Sequence, residues 1–294
     1  MRSLIFSLKA CLLLSLLSCQ ADYDWYQRDF SAEEKITYAK SLSNGVGYYY
    51  QGTVPEQFHI KEAMKLDTSN GDYWRELGTS RVKRGLAAEM QYYYGKAAEL
   101  KPEPWAGFRG YLYLYFYRDY LRAIADFNLT DSVTKSVGYS QGQNHDYMRG
   151  IAYYGLKNYP QALHSLSLHI DSTVAKEGEE WVDAFAVLYR ALTYEKLGDD
   201  IKMKAELERT LRIYPTLADA YFHLARLAFR KNDNAEAQKL IKEAERNYKD
   251  GYFHNRPYVE VLEQIYAEDI NSLSASIEQN LLKLKDEPLK MFPD

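Results

Sequence analysis

The stretch from Gly71 to Pro104, GDYWRELGTSRVKRGLAAEMQYYYGKAAELKPEP, constrains the fold more than any other part of this chain. Its apolar and small residues recur at helical spacing in two blocks, with Trp74, Leu77 and Gly78 in the first and Tyr94 and Ala97 in the second. Pro102 ends the second block before another opens at Trp105. A hairpin of two such short helices cannot bury its apolar stripe alone, so it requires neighbours of the same kind. One unit in isolation fits an ordinary helical bundle equally well; recurrence decides.

The pattern recurs. Ala123 and Phe127 repeat the second block, and so does Ala162, introduced by Tyr159-Pro160 and preceded by Gly150 and Tyr153. Ala191, Tyr194, Leu197-Gly198-Asp199, Leu207 and Pro215 follow, and then Tyr221, Leu224, Ala225, Ala237, Ile241 and Ala244. This series resembles the tetratricopeptide (TPR) repeat, a unit of about 34 residues with the pattern W-x2-L-G-x2-Y, A-x3-F, P. The unit at Gly71 departs from it at Arg81, where an aromatic is usual, and at Met90, where Ala is usual. The resemblance implies an all-α, TPR-type solenoid of antiparallel hairpins over residues 31–247, with capping helices over 248–294. One cap is expected to begin at Pro257 and carry Val259, Leu262 and Ile265; another carries Leu273, Ile277 and Leu281.

Three local readings follow. Ser31-Ala32-Glu33-Glu34 forms a capping box at the start of a degenerate first hairpin, whose second helix opens at Pro55. Residues 110–117 alternate aromatic and aliphatic side chains and alone would pass for a strand. The helical block that follows directly, with no partner strand in sight, assigns them to a helix. Ser172 to Gly178 reads as a loop inserted after a hairpin ending near Asp171.

The N-terminus carries Arg2 and Lys9 and an apolar run from Ala10 to Leu17, too short to span a bilayer, which takes about 20 residues. Leu16-Leu17-Ser18-Cys19 resembles the lipobox of bacterial lipoproteins. That resemblance implies a leader over 1–18, acylation of Cys19, and a tether over 19–30 holding the protein at the cell envelope, with the outer membrane favoured by Gln20. A plain cleaved leader remains the alternative. The chain's 2 cysteines are Cys11 and Cys19, so a processed and acylated body has no thiol for a disulfide, a nucleophile or a metal.

Formal net charge is −4, which argues against a phosphate-binding surface and hence against nucleic acid as partner. No HExxH, GxSxG or glycine-rich phosphate loop occurs, and the 6 histidines are scattered. We expect no enzyme, metal or cofactor. The TPR resemblance implies instead a concave peptide-binding groove lined by Arg75, Trp105, Phe108, Tyr115, Tyr147, Tyr154, Phe185, Phe222 and Arg226. Packing between hairpins is the competing role for each ring. The function expected is a membrane-anchored scaffold that binds a protein or peptide partner. The alternative is a lipoprotein binding glycan or peptide for nutrient uptake.

Overall fold

The computed structural model describes residues 29–286. Cys19, its leader and most of the tether lie outside the described residues. The chain divides into two compact units, the first ending at Trp105 and the second beginning at Ala106.

In the first unit, α1 (Ala32–Asn44), α2 (Val54–Leu66), α3 (Gly71–Lys83) and α4 (Ala87–Leu100) pack consecutively. Ser31 caps α1 as expected, accepting from the Glu34 amide while the Glu34 carboxylate accepts from the Ser31 amide at 2.8 Å. Ala39, Ile60, Ala63, Tyr73 and Leu77 form the core. Gly78 explains how closely α3 and α4 approach: a Cβ there would lie 2.7 Å from the ring of Tyr94, itself fully buried.

Helix α5 (Pro102–Leu112) crosses the boundary between the units and runs into a π-helical turn at Tyr113–Tyr117. The alternating 110–117 stretch is thus helical. The second unit continues with α6 (Tyr120–Thr134), a β-hairpin of β1 (Tyr139–Ser140) and β2 (Gln143–Asn144), α7 (His145–Gly155) and α8 (Tyr159–Lys176). Then come α9 (Ala184–Lys196), α10 (Asp200–Ile213), α11 (Ala218–Arg230), α12 (Asn234–Lys249) and α13 (Ala267–Asp286).

One turn chemistry closes the hairpins of the second unit. Lys157, Gly198 and Asn232 each take a left-handed backbone, and each is followed by the capping side chain of the next helix, Asn158, Asp199 or Asp233. The amide of that capping residue reaches back to the carbonyl of Tyr153, Tyr194 or Ala228, satisfying a carbonyl the helix end would otherwise leave unpaired. Arg118-Asp119 repeats the arrangement, but the Asp119 amide reaches one residue further, to Tyr113. The π-helical turn at Tyr113–Tyr117 absorbs that extra residue.

Two expectations are corrected, and one element is new. Helix α8 does not stop near Asp171; it runs to Lys176, since no glycine or proline interrupts it before Gly178 (φ 109°). The hairpin at 139–144 is unanticipated, its Gln141-Gly142 loop having both residues at positive φ, as a two-residue turn requires. No helix begins at Pro257. Residues 252–266 form an irregular strap between α12 and α13, broken by left-handed Tyr258 (φ 69°) and Glu263 (φ 56°). A left-handed backbone costs a residue with a Cβ about 1–2 kcal/mol, so contacts elsewhere hold the strap in this shape. Ile265, Ile270 and Ile277 close the core of α11 and α12, so α13 does cap the last hairpin.

Candidate functional site

The first helix of each hairpin in the second unit turns one face toward the strap. Phe185, near the start of α9, stacks on His254 with ring centroids 4.1 Å apart. Tyr189, one turn later, donates its hydroxyl to the Leu262 carbonyl at 2.9 Å. From α7, Tyr154 donates to the Glu263 carboxylate at 2.7 Å, and Lys196 of α9 lies 3.1 Å from the same oxygen. At the start of α11, the Ala218 amide donates to the Tyr252 carbonyl at 2.8 Å, and the Asp219 carboxylate accepts from the His254 amide at 2.8 Å.

The other end of this face receives a cation. Arg256 sits 4.1 Å above the ring of Tyr115, in the π-helical turn, and donates to the Gln143 side-chain oxygen at 2.8 Å. The Tyr115 hydroxyl donates to that same oxygen at 2.9 Å. Ring quadrupole and amide dipole thus present negative potential to one guanidinium, the geometry of a cation–π box. Arg118 and Glu260 pair at 2.8 Å on the exposed rim.

Burial sets the electrostatics. It pushes Asp219 up to about 7 against the opposing His254 amide bond, and pulls His254 down to about 3, with Arg256 adding to the effect. For Glu263, burial alone would raise the carboxyl, but the Tyr154 hydroxyl and the Lys196 ammonium outweigh it and hold it below its ordinary range. The strap therefore presents a carboxylate to α7 and α9 and a neutral imidazole to Phe185.

Of the residues expected to line a groove, Tyr115, Tyr154 and Phe185 touch the strap directly. Phe222 is buried in the cluster that contains Ile265. Tyr147 is 2% exposed and packs against His169 and Tyr189. Arg226 pairs with Glu195, and Phe108 lies beside Tyr111 with centroids 6.0 Å apart. Arg75 and Trp105 belong to the first unit, where the guanidinium lies 4.7 Å over the indole and the indole N–H donates to Asp72 at 2.8 Å. Sequence reasoning missed Gln143, Tyr189 and Lys196, and every residue of the strap. The His254-to-Glu263 segment has no repeat frame to betray it.

A second constellation lies at the β-hairpin. His145 Nδ1 is 2.7 Å from Asp131 Oδ1, and its Nε2 is 3.0 Å from Ser140 Oγ. Burial lowers the imidazole pKa, leaving a neutral ring whose Nδ1–H donates to the carboxylate and whose Nε2 accepts from the serine. The order matches a hydrolytic triad, but Ser140 is 7% exposed and faces the backbone of Gly107, where a Cβ would come within 2.6 Å of Oγ. Asp131 also accepts from the Gly138 amide and pairs with Arg149, so the relay fastens the hairpin to α6 and α7. Among the described residues no helix is long and apolar enough to cross a membrane, and no group of His, Cys, Asp or Glu is placed to hold a metal ion.

No protein-family model matches the chain, and no curated protein matches its sequence. Solved structures do match. PilW, described as a widely conserved type IV pilus biogenesis factor, has a TM-score of 0.55 at 15% identity, covering 82% of this chain and 97% of that one. PilF of Pseudomonas aeruginosa has a TM-score of 0.57 at 13% identity, covering 83% and 99%. Yeast Tom70 has a TM-score of 0.53 at 14% identity, covering 94% of this chain and 60% of that one. These are TPR proteins, and the fold of this chain is the TPR type. At such identities the likeness concerns the fold alone.

Proposed function

We propose that this protein is a TPR interaction scaffold, held at the bacterial envelope through acylated Cys19, which binds an extended polypeptide on the face shared by α7, α9, α11 and the π-helical turn. One observation carries the reading. That face makes a set of contacts to irregular backbone and side chains that a peptide receptor would make: a ring stack at Phe185, a carbonyl acceptor for Tyr189, a carboxylate seat at Tyr154 and Lys196, and a guanidinium box at Tyr115 and Gln143. TPR neighbours support an interaction role in general, and PilW, a pilus biogenesis factor, is in keeping with an envelope setting. Each methylene of an acyl chain contributes about 0.8 kcal/mol on insertion, so two or more chains anchor stably.

Two measurements test the reading. Cys19→Ser is expected to move the protein from the membrane fraction to the soluble one, and mass spectrometry of the wild type should find acyl chains on Cys19. Pull-down from detergent-solubilised envelope should recover a defined partner whose yield changes at least threefold in Phe185→Ala and Tyr115→Ala. An unmodified Cys19 would remove the anchor; recovery identical in all three proteins would remove the face.

A further inference from the structure

We propose that residues 252–266 are an intramolecular ligand of this face, which yields to a polypeptide partner carrying a ring, a guanidinium and a carboxylate in the order and spacing of His254, Arg256 and Glu263. The proposal rests on the reading above, that the face binds polypeptide, and adds what occupies it at rest and what displaces the occupant.

Four features separate this strap from ordinary core. Besides the buried Val261 and His254, its contacts to the face are made by side-chain functional groups, single backbone carbonyls and the His254 amide, with few hydrogen bonds of its own: an isolated bridge between Arg256 and Val259, an Asn255 side-chain bond to the Phe253 carbonyl and a Gln264 side-chain bond to the Val261 amide. Its outer surface is bare, with Tyr258 89% exposed. It is strained at two places, since Tyr258 and Glu263 carry side chains in the left-handed region. A partner that presents the same groups without that strain binds the face better, contact for contact. Finally, its ends are fixed independently of its middle. Tyr252 is held by the Ala218 amide, and Ile265 and Ile270 belong to the core of α11 to α13. Release of the middle exposes Val261 and His254 but leaves the core contacts of the terminal helix, through Ile265, Ile270 and Ile277, in place.

The seats define the partner. Tyr115 and Gln143 accept a cation, with Tyr111 a second ring 5.4 Å from the guanidinium. Tyr154 and Lys196 accept an anion, and Phe185 with Tyr189 accepts a flat ring. Tethering makes the strap a competitor at high effective concentration, so a free peptide meets a raised apparent dissociation constant until the strap is weakened.

The probe is a fluorescein-labelled synthetic peptide of residues 252–266, titrated by anisotropy against the full-length protein in detergent. Wild type is expected to bind weakly. Arg256→Ala with Glu263→Ala, which weakens the strap and leaves every seat intact, is expected to bind at least tenfold more tightly. Adding Tyr154→Phe and Lys196→Ala to that variant should abolish the gain. Thermal melts establish that each variant is folded. Should the double variant fail to fold, hydrogen exchange of wild type decides: saturating peptide is expected to speed exchange of the amides of 254–264. Equal affinity for folded wild type and folded double variant, or unchanged exchange, would overturn the proposal. So would a loosened variant that becomes a dimer by light scattering without binding peptide, since a second copy would then be the occupant. A strap that fails these tests while the envelope pull-down still responds to Phe185→Ala leaves the binding reading standing and defeats only its displacement.

Discussion

Tyr154 and Glu263 are 109 residues apart in sequence and 2.7 Å apart in space, the phenol donating to the carboxylate. This bond ties the strap between α12 and α13 to the first helix of a hairpin near the middle of the chain, and Lys196 shares the same oxygen. A charge-assisted bond of this kind contributes about 1.5–3 kcal/mol. Tyr154→Phe and Glu263→Gln are accordingly expected to be non-additive in urea denaturation, with a coupling of about 1 kcal/mol or more. Additive effects would mean that the two side chains do not interact in solution.

Gly78→Ala should destabilise the first unit by about 1–3 kcal/mol. The added methyl meets the ring of Tyr94, which is fully buried and has no room to turn aside. Gly85→Ala makes a useful contrast: there a Cβ meets open space, but φ is 71°, so its cost is conformational. Circular-dichroism melts of both variants separate steric from backbone strain when Gly85→Asn, which tolerates the left-handed region, recovers stability and Gly78→Asn does not.

Arg109 forks onto Asp126 with contacts of 2.6 and 2.8 Å, and the carboxylate is only 4% exposed. Burial pushes the Asp126 pKa up while the guanidinium opposes it. Arg109→Leu strands a buried carboxylate and should cost about 3 kcal/mol at pH 7. Adding Asp126→Leu is expected to recover most of that loss. If the second change recovers nothing, the pair is not what holds α5 to α6.

His223 is 1% exposed, and neither ring nitrogen has a hydrogen-bond partner among the described residues. Burial, with Arg226, Lys196 and Arg230 nearby, holds its pKa well below the usual imidazole value. The unfolded chain therefore takes up a proton as pH falls through about 6.5, the folded chain does not, and stability drains away on the acid side. His223→Leu removes this term. Its stability relative to wild type should rise by up to about 2 kcal/mol between pH 7 and pH 5. A difference that stays flat with pH would show that this ring titrates normally.

Much of the fold was legible because a TPR hairpin is a local object. The spacing of Leu77, Gly78, Tyr94 and Ala97 encodes one unit within a few turns of chain, and at Gly198-Asp199 a glycine free to turn left-handed precedes a capping Asp, whereas left-handed Arg118 and Lys157 carry no such signal. Where the local signal was weak, the reading slipped. Ser172 to Lys176 carry no breaker and so continue α8, and Gln141-Gly142 is a short turn signal that an all-helical frame passes over.

The candidate site was legible only by halves. The TPR resemblance placed Tyr115, Tyr154 and Phe185 on one face of their first helices, since residues three and four apart share a side wherever a helix forms. What those faces meet depends on where residues 252–266 lie, and nothing local records it. Val259, Leu262 and Ile265 have helical spacing, yet the contacts that decide their conformation come from Tyr154, Tyr189 and Asp219, far back in the chain. The sequence by itself determined the hairpins, because their stabilising contacts are short-range. Only the tertiary structure decided that the strap stays unwound against them, because distant polar seats and buried rings outweigh a weak helical preference broken at Tyr258 and Glu263.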